Sequence, residues 1–93
     1  MAKFLVRVEL HGGTWDDYET LHAEMAYRGF AREVTGDNGR TYQLPTAEYV
    51  IHSNSELEAV RTLAANAAQA TGLKFGVIVA EYSRSAWVGL AVA

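Results

Sequence analysis

Three observations predict an α+β fold in which two helices cover an antiparallel sheet. Strand-like and helix-like segments follow one another in the order strand, helix, strand, strand, helix, strand. The two central strands are joined by the short sequence GDNG at residues 36–39, which favours a tight reversal of the chain. The chain has 93 residues, and 49% of them are hydrophobic, which is enough for one core. We therefore expect residues 1–93 to form a single domain.

The first strand is predicted by the alternation of apolar and more polar side chains. Every second residue between positions 4 and 10 is apolar, and these residues are Phe4, Val6, Val8 and Leu10. The residues between them include Arg7 and Glu9. A period of two is typical of a strand with one buried face and one polar face. The glycines at positions 12 and 13 then end the strand.

The first helix is predicted to begin after Thr14 and to end at Gly29. Thr14 and Asp17 have the three-residue spacing of a capping box. Apolar and aromatic residues then recur at helical spacing, at Trp15, Tyr18, Leu21, His22 and Met25. Gly29 marks the end, because glycine readily adopts the left-handed conformation that closes a helix.

The second and third strands are predicted to form a hairpin from residues 30–35 and 40–51. The Asn38-Gly39 pair is the strongest short-range signal for a hairpin with a primed turn, which needs positive φ angles. Pro45 interrupts the third strand, because proline has no amide hydrogen to donate to a ladder. We expect a bulge or a strand break at residues 44–46.

The second helix and the last strand complete the pattern. Overlapping capping boxes within residues 53–58 place the start of the helix within two residues, and Gly72 closes it. Residues 75–82, FGVIVAEY, are predicted to form the fourth strand. Residues 86–93 are uncharged and largely apolar, so they either add a short fifth strand or dock on a partner.

The order β-α-β-β-α-β predicts the topology. Right-handed crossovers at both helices give a four-stranded antiparallel sheet in the order 4-1-3-2, with both helices on one face. This is the ferredoxin-like arrangement. Its open sheet face is the usual place for such a domain to bind RNA, a ligand or a second copy, and the fold alone does not choose among these.

Composition excludes several classes of function. Eleven acidic and eight basic residues give a net charge of −3, which argues against a broad surface for duplex DNA. The absence of cysteine excludes disulfides and thiolate metal ligands, and the three histidines lack ligand spacing. We expect no metal and no cofactor. The chain also has no apolar leader segment and no long apolar span, which predicts a soluble, cytoplasmic protein without a membrane partner.

Several segments resemble the GhoS family. The similar features are AKFLVRVEL at residues 2–10, the Gly29-Phe30 step, VTGDNGRTYQLP at residues 34–45 and AEYVI at residues 47–51. The family consists of small ferredoxin-like endoribonucleases that act as antitoxins in type V toxin–antitoxin systems, and it is similar in fold to CRISPR-associated nucleases. The resemblance implies cleavage of a messenger RNA that encodes a membrane toxin.

The resemblance also implies site residues. The acidic position of the family at the end of the first strand falls on Glu9, and its basic position in the first helix falls on His22. Metal-independent RNA cleavage needs a base, an acid and positive charge near the phosphorane. The catalytic candidates are His22, Glu9 and His11. The RNA-binding candidates are Arg7, Arg28, Arg32 and Arg40.

Most of these candidates also have a structural explanation. His22 has the spacing of a residue at the boundary of the core. His11 follows a strand and precedes glycines, as an exposed loop residue does. Arg28 suits the C-terminal end of a helix dipole. Arg32 and Arg40 flank the predicted turn, where they would lie close together in a cross-strand charge set.

Two hypotheses of function follow. The first is a small cytoplasmic RNA-processing protein or antitoxin of the GhoS type, which forms a homodimer and holds an RNA backbone near Arg7, Arg32 and Arg40. The second is a non-catalytic dimeric interaction or regulatory domain, which binds a partner protein through its sheet edge and its apolar C-terminal residues.

Overall fold

The computed structural model describes residues 1–93 and contains five strands and two helices. The elements are β1 (Ala2–Leu10), α1 (Trp15–Tyr27), β2 (Glu33–Thr35), β3 (Thr41–Gln43), β4 (Glu48–Ser53), α2 (Leu57–Gln69) and β5 (Phe75–Tyr82). All paired strands are antiparallel, so the predicted α+β class is confirmed. Neither helix is long and apolar enough to cross a membrane.

The strands form two sheets instead of one. A three-stranded sheet has the order β4-β1-β5, while β2 and β3 form a separate two-stranded sheet. A continuous four-stranded sheet in the order 4-1-3-2 is therefore not present. At the edge predicted for the second strand, a single bridge joins the chain to β4. In this bridge, Ala31 and Val50 exchange two backbone hydrogen bonds of 2.8 Å each.

The break in the predicted third strand separates the two sheets. The strand stops after Gln43 and resumes at Glu48, so the break expected at residues 44–46 is confirmed. Pro45 cannot donate to a ladder, and its carbonyl oxygen instead accepts from the Glu48 amide at 3.1 Å. Ala47 then adopts a φ angle of 72°, which reverses the local direction of the chain. One ladder therefore cannot run through this segment.

The turn between β2 and β3 differs from the predicted primed turn. Gly39 has a φ angle of 79°, but Asn38 is not among the residues with positive φ. The Gly39 amide donates to the Gly36 carbonyl at 3.0 Å, and the Asn38 side-chain oxygen accepts from the Arg40 amide at 2.9 Å. The connection is therefore longer than a two-residue primed turn, and only its last glycine is left-handed. The Asn38 side chain stabilises it by accepting a backbone hydrogen bond.

The core lies between the three-stranded sheet and both helices. One face of β1 is buried, as its alternation predicts, and it packs against Leu21 and Met25 of α1. The α2 helix contributes Val60 and three alanines to the same cluster, and small side chains allow this helix to approach the sheet closely. The opposite face of β1 is more exposed and has no helix against it.

The C-terminal residues return to the hairpin. Val92 forms an antiparallel bridge with Tyr42, and the amide of Gln43 donates to the Ala91 carbonyl at 2.8 Å. The ring of Trp87 lies 5.7 Å from the ring of Tyr42. Of the two expectations for residues 86–93, the structure favours strand addition, although only as a single bridge to β3.

Replacing Gly39 with alanine tests the role of its left-handed conformation. We expect Gly39→Ala to lower the free energy of unfolding by about 1 kcal/mol, because a Cβ atom disfavours positive φ. Gly76→Ala is the matched control, since a Cβ at either position meets no atom within 4 Å and Gly76 lacks a positive φ. Urea denaturation measures both variants. Equal losses of stability would contradict the assignment of the effect to backbone conformation.

Candidate functional site

The exposed end of β1 holds two of the predicted catalytic residues. Glu9 lies on the open face of the sheet, and His11 follows the strand. The Nε2 atom of His11 is 3.7 Å from Oε1 of Glu9, and both side chains are exposed. An exposed pair at this distance contributes little to stability. No group of three or more His, Asp and Glu side chains is positioned to hold a metal ion.

His22 lies on the other side of the sheet from Glu9. Its Nδ1 atom is 2.6 Å from the hydroxyl oxygen of Tyr49. Tyr49 is fully buried and pairs with Val6 on the core-facing side of β1, whereas Glu9 points to the opposite face. Within one chain, the structure therefore does not bring His22 together with Glu9 as an acid–base pair.

The structure also separates the predicted RNA-binding arginines. Arg28 donates from Nη1 to the carbonyl and the carboxylate of Glu24, at 3.0 and 2.8 Å, so the end of α1 explains its position. Arg7 is on the open face of β1. The hairpin register places Arg32 opposite Leu44 and Arg40 opposite Gly36.

The expected proximity of Arg32 and Arg40 is therefore wrong. Arg40 is level with a position four residues beyond Arg32 along β2, which corresponds to about 13 Å along a strand. The loop sets this offset, because it pairs Thr35 with Thr41 and leaves Arg32 at the far end of the hairpin.

The structure does bring together His22, Tyr49 and Arg32. Burial lowers the pKa of His22, the nearby charge of Arg32 lowers it further, and Glu19 acts in the opposite direction. Burial also raises the pKa of the Tyr49 phenol, against a smaller opposing effect of Arg32. At neutral pH, His22 is therefore uncharged and Tyr49 keeps its proton.

The direction of the His22–Tyr49 hydrogen bond depends on where the imidazole proton lies. The phenol either donates to Nδ1 or accepts from Nδ1–H. A neutral imidazole whose Nδ1 accepts has its proton on Nε2. In this tautomer, His22 can donate a hydrogen bond to a ligand, but its Nε2 cannot take a proton from one.

Arg32 has no ionic partner in the protein. The two ion pairs of the chain join His11 to Glu9 and Arg28 to Glu24. The Nε atom of Arg32 is buried and has no hydrogen-bond acceptor. A buried donor without an acceptor costs about 1–3 kcal/mol. Nε itself is shielded from solvent, so a ligand in contact with Arg32 would meet the other two nitrogens of the guanidinium.

A cleft of about 610 Å³ lies beside this guanidinium, and we name it the arginine cleft. Its walls come from α1, the hairpin and the C-terminal residues, and they include Trp15, Glu19, Arg32, Gln43 and Leu90. Trp15 is 72% exposed. His22 does not line the cleft, although the charges of Glu19 and Arg32, which do, both affect its pKa.

A second cleft of about 410 Å³ contains residues to which the sequence assigned no binding role, and we name it the Lys3 cleft. Its lining includes Lys3, His52, Tyr82 and Trp87. Lys3 is the register partner of both His52 and Tyr82. The register of β4, β1 and β5 places Lys3, His52 and Tyr82 side by side, which the sequence alone does not reveal.

The buried environment of His22 predicts a pH dependence of stability. Since the folded pKa lies below the ordinary value of 6.5, the unfolded chain binds more protons in the interval between them. The free energy of unfolding should therefore fall as the pH falls from 6.5 through this interval. Urea denaturation at several pH values measures the effect.

His22→Gln should reduce this loss of stability, because glutamine can accept from Tyr49 and does not titrate. His52→Gln, which removes an exposed histidine, should retain the dependence of the original chain. If His22→Gln loses as much stability at low pH as the original chain, the proposed burial of a neutral His22 is incorrect.

No model of a known protein family matches this chain, and no curated protein matches it in sequence. The resemblance to the GhoS family therefore stays a prediction.

Proposed function

We propose that this chain is a small RNA-binding protein of the GhoS type, which holds a backbone phosphate at Arg32 in the arginine cleft. The observation that supports this proposal is the half-buried guanidinium of Arg32, whose Nε has no acceptor and which forms no ion pair. A phosphate in the cleft would supply the opposite charge and would accept hydrogen bonds from the two outer nitrogens of the guanidinium.

The surroundings of Arg32 favour single-stranded RNA over a duplex. Trp15 offers an exposed ring to an unpaired base, and stacking of this kind is common in single-strand recognition. Gln43 lines the same cleft and adds an amide that can both donate and accept. The net charge of −3 suits a local contact with one strand, and Glu19 limits how much negative charge the cleft can accept.

The strand order agrees with part of the ferredoxin-like fold that the resemblance implies. The order β5-β1-β4 corresponds to the first three positions of the predicted 4-1-3-2 sheet, and Ala31 is bridged to β4 at the fourth position. We propose a ferredoxin-like fold in which the hairpin has separated from the edge of the sheet. An antitoxin role in the cytoplasm is part of the same proposal.

RNA cleavage would depend on the tautomer of His22. With its proton on Nε2, this histidine can stabilise a phosphate but cannot activate the 2′-hydroxyl. In the other tautomer, Nδ1–H would donate to Tyr49 and free Nε2 to act as a base. We therefore propose binding as the basic activity, with cleavage dependent on this tautomer.

Arg32→Gln tests the proposed phosphate contact. We expect its affinity for a short single-stranded RNA to fall at least about tenfold, because a hydrogen bond to a charged group contributes about 1.5–3 kcal/mol. Gel retardation at low salt provides the measurement. Arg61→Gln is the matched control, since Arg61 is exposed on α2 and its loss changes the net charge equally.

Similar losses in both arginine variants would show only a general charge effect and would contradict a site at Arg32. Incubation of the unaltered chain with mixed transcripts, with and without EDTA, examines cleavage in parallel. The proposal fails if the unaltered chain neither retards nor cleaves RNA at low salt.

The free edge of β5 favours a second function, that of a dimeric interaction domain. β5 is the outer strand of the three-stranded sheet, and Glu81 is its only charged residue. Ile78 on the same strand is 66% exposed. Natural edge strands are usually protected by charge or proline, so this edge suits pairing with a second copy. The C-terminal residues are less suited, because Val92 already pairs with the hairpin.

Ile78→Lys tests this alternative. A dimer that pairs through β5 should dissociate, because the substitution places two like charges near the shared edge. Val88→Lys is the control, since Val88 is 94% exposed and lies outside β5. Sedimentation over a range of concentrations measures the mass. A chain that is monomeric before substitution, or a dimer that both variants disrupt equally, would contradict pairing through this edge.

A further inference from the structure

We propose that the Lys3 cleft is a second nucleotide site, in which Lys3 binds a phosphate and Trp87 contacts an unpaired base. The identification of the ligand as part of an RNA strand rests on the function proposed above. The site itself is distinct, because none of the residues that line the arginine cleft lines this one.

Register on the open sheet face positions the basic group. Lys3 of β1 lies between His52 of β4 and Tyr82 of β5. The Nζ atom of Lys3 is 5.3 Å from the centre of the Tyr82 ring, which is within the range of a cation–π contact. Lys3 forms no ion pair, so its ammonium group is held by an aromatic face and remains able to bind an anion.

The hairpin holds the aromatic wall of the cleft in place. Trp87 is half-buried, and its ring contacts Tyr42 at a centroid distance of 5.7 Å and an angle of 58°. A Cβ atom on Gly36 would lie 3.3 Å from the Trp87 ring, so the turn approaches this side chain closely. A tryptophan fixed from one side offers a rigid surface for a base at low entropic cost.

The size and polarity of the cleft fit a nucleotide. Its volume of about 410 Å³ lies within the range of small-molecule pockets. A neighbouring depression shares Lys3 and Trp87 with it and extends to Arg84, which provides a second positive charge. Glu33 and Asp37 line these two depressions and can accept hydrogen bonds from a ribose hydroxyl or a base amino group.

The two tryptophans of the chain allow the two sites to be observed separately. Trp15 lines the arginine cleft and Trp87 lines the Lys3 cleft. In Trp15→Phe, adenosine 5′-monophosphate should therefore change the fluorescence of Trp87. Adding Lys3→Gln to this background should weaken binding at least about fivefold, because the phosphate loses its charged partner. Lys74→Gln, which removes an exposed lysine outside the cleft, should leave the affinity unchanged.

The proposal is overturned if adenosine 5′-monophosphate leaves Trp87 fluorescence unchanged at millimolar concentration, or if Lys3→Gln and Lys74→Gln have equal effects. Trp87→Phe separates this failure from failure of the proposed function, because its remaining Trp15 reports on the arginine cleft. If single-stranded RNA changes the fluorescence of Trp15 in Trp87→Phe but does not change that of Trp87 in Trp15→Phe, the RNA-binding function is retained and the second site is rejected. Circular dichroism checks that each variant is folded.

Discussion

The interruption of the predicted third strand between β3 and β4 is the constraint on which the rest of the structure depends. Pro45 cannot extend the ladder, and Ala47 has a positive φ angle. The hairpin therefore pairs with itself and with the C-terminal residues instead of completing the main sheet. Its separation leaves room for two clefts, one next to α1 and one next to the open face of the sheet.

Tyr49 connects this break to the candidate site. It lies two residues after Ala47, is fully buried, and reaches from β4 to His22 on α1. The hydrogen bond contributes only about 0.5–1.5 kcal/mol to stability, and its direction is tied to the tautomer of the imidazole. A neutral His22 allows Arg32 to remain nearby without repulsion between two cations. The same contact thus joins β4 to α1.

Local chemistry made part of this structure predictable. Alternation identified β1, and the Thr14–Asp17 capping box forms as expected, with both reciprocal hydrogen bonds present. The effect of Pro45 was also predictable, because a missing amide hydrogen acts in any fold. The start of α2 was less so. Glu56 is its N-cap without a side-chain hydrogen bond, and the Ser53 hydroxyl accepts from the Ser55 amide instead.

The sites depend on long-range register, which the sequence does not reveal. Arg32 and Arg40 flank the same turn, yet the length of the loop places them at opposite ends of the hairpin. His22 was a candidate from the resemblance, but its contact with Tyr49 joins residues that are 27 positions apart. Lys3 lines a cleft only because the register places it between His52 of β4 and Tyr82 of β5.

The Nε–H signal of Arg32 in a ¹H–¹⁵N NMR spectrum tests the central claim most directly. This group belongs to the guanidinium that would bind the phosphate, so single-stranded RNA that binds at Arg32 should shift its resonance through the nearby negative charge. The exposed Arg61 on α2 should show little change in the same titration. An unmoved Arg32 signal, or an equal shift of Arg32 and Arg61, would contradict an RNA phosphate site in the arginine cleft.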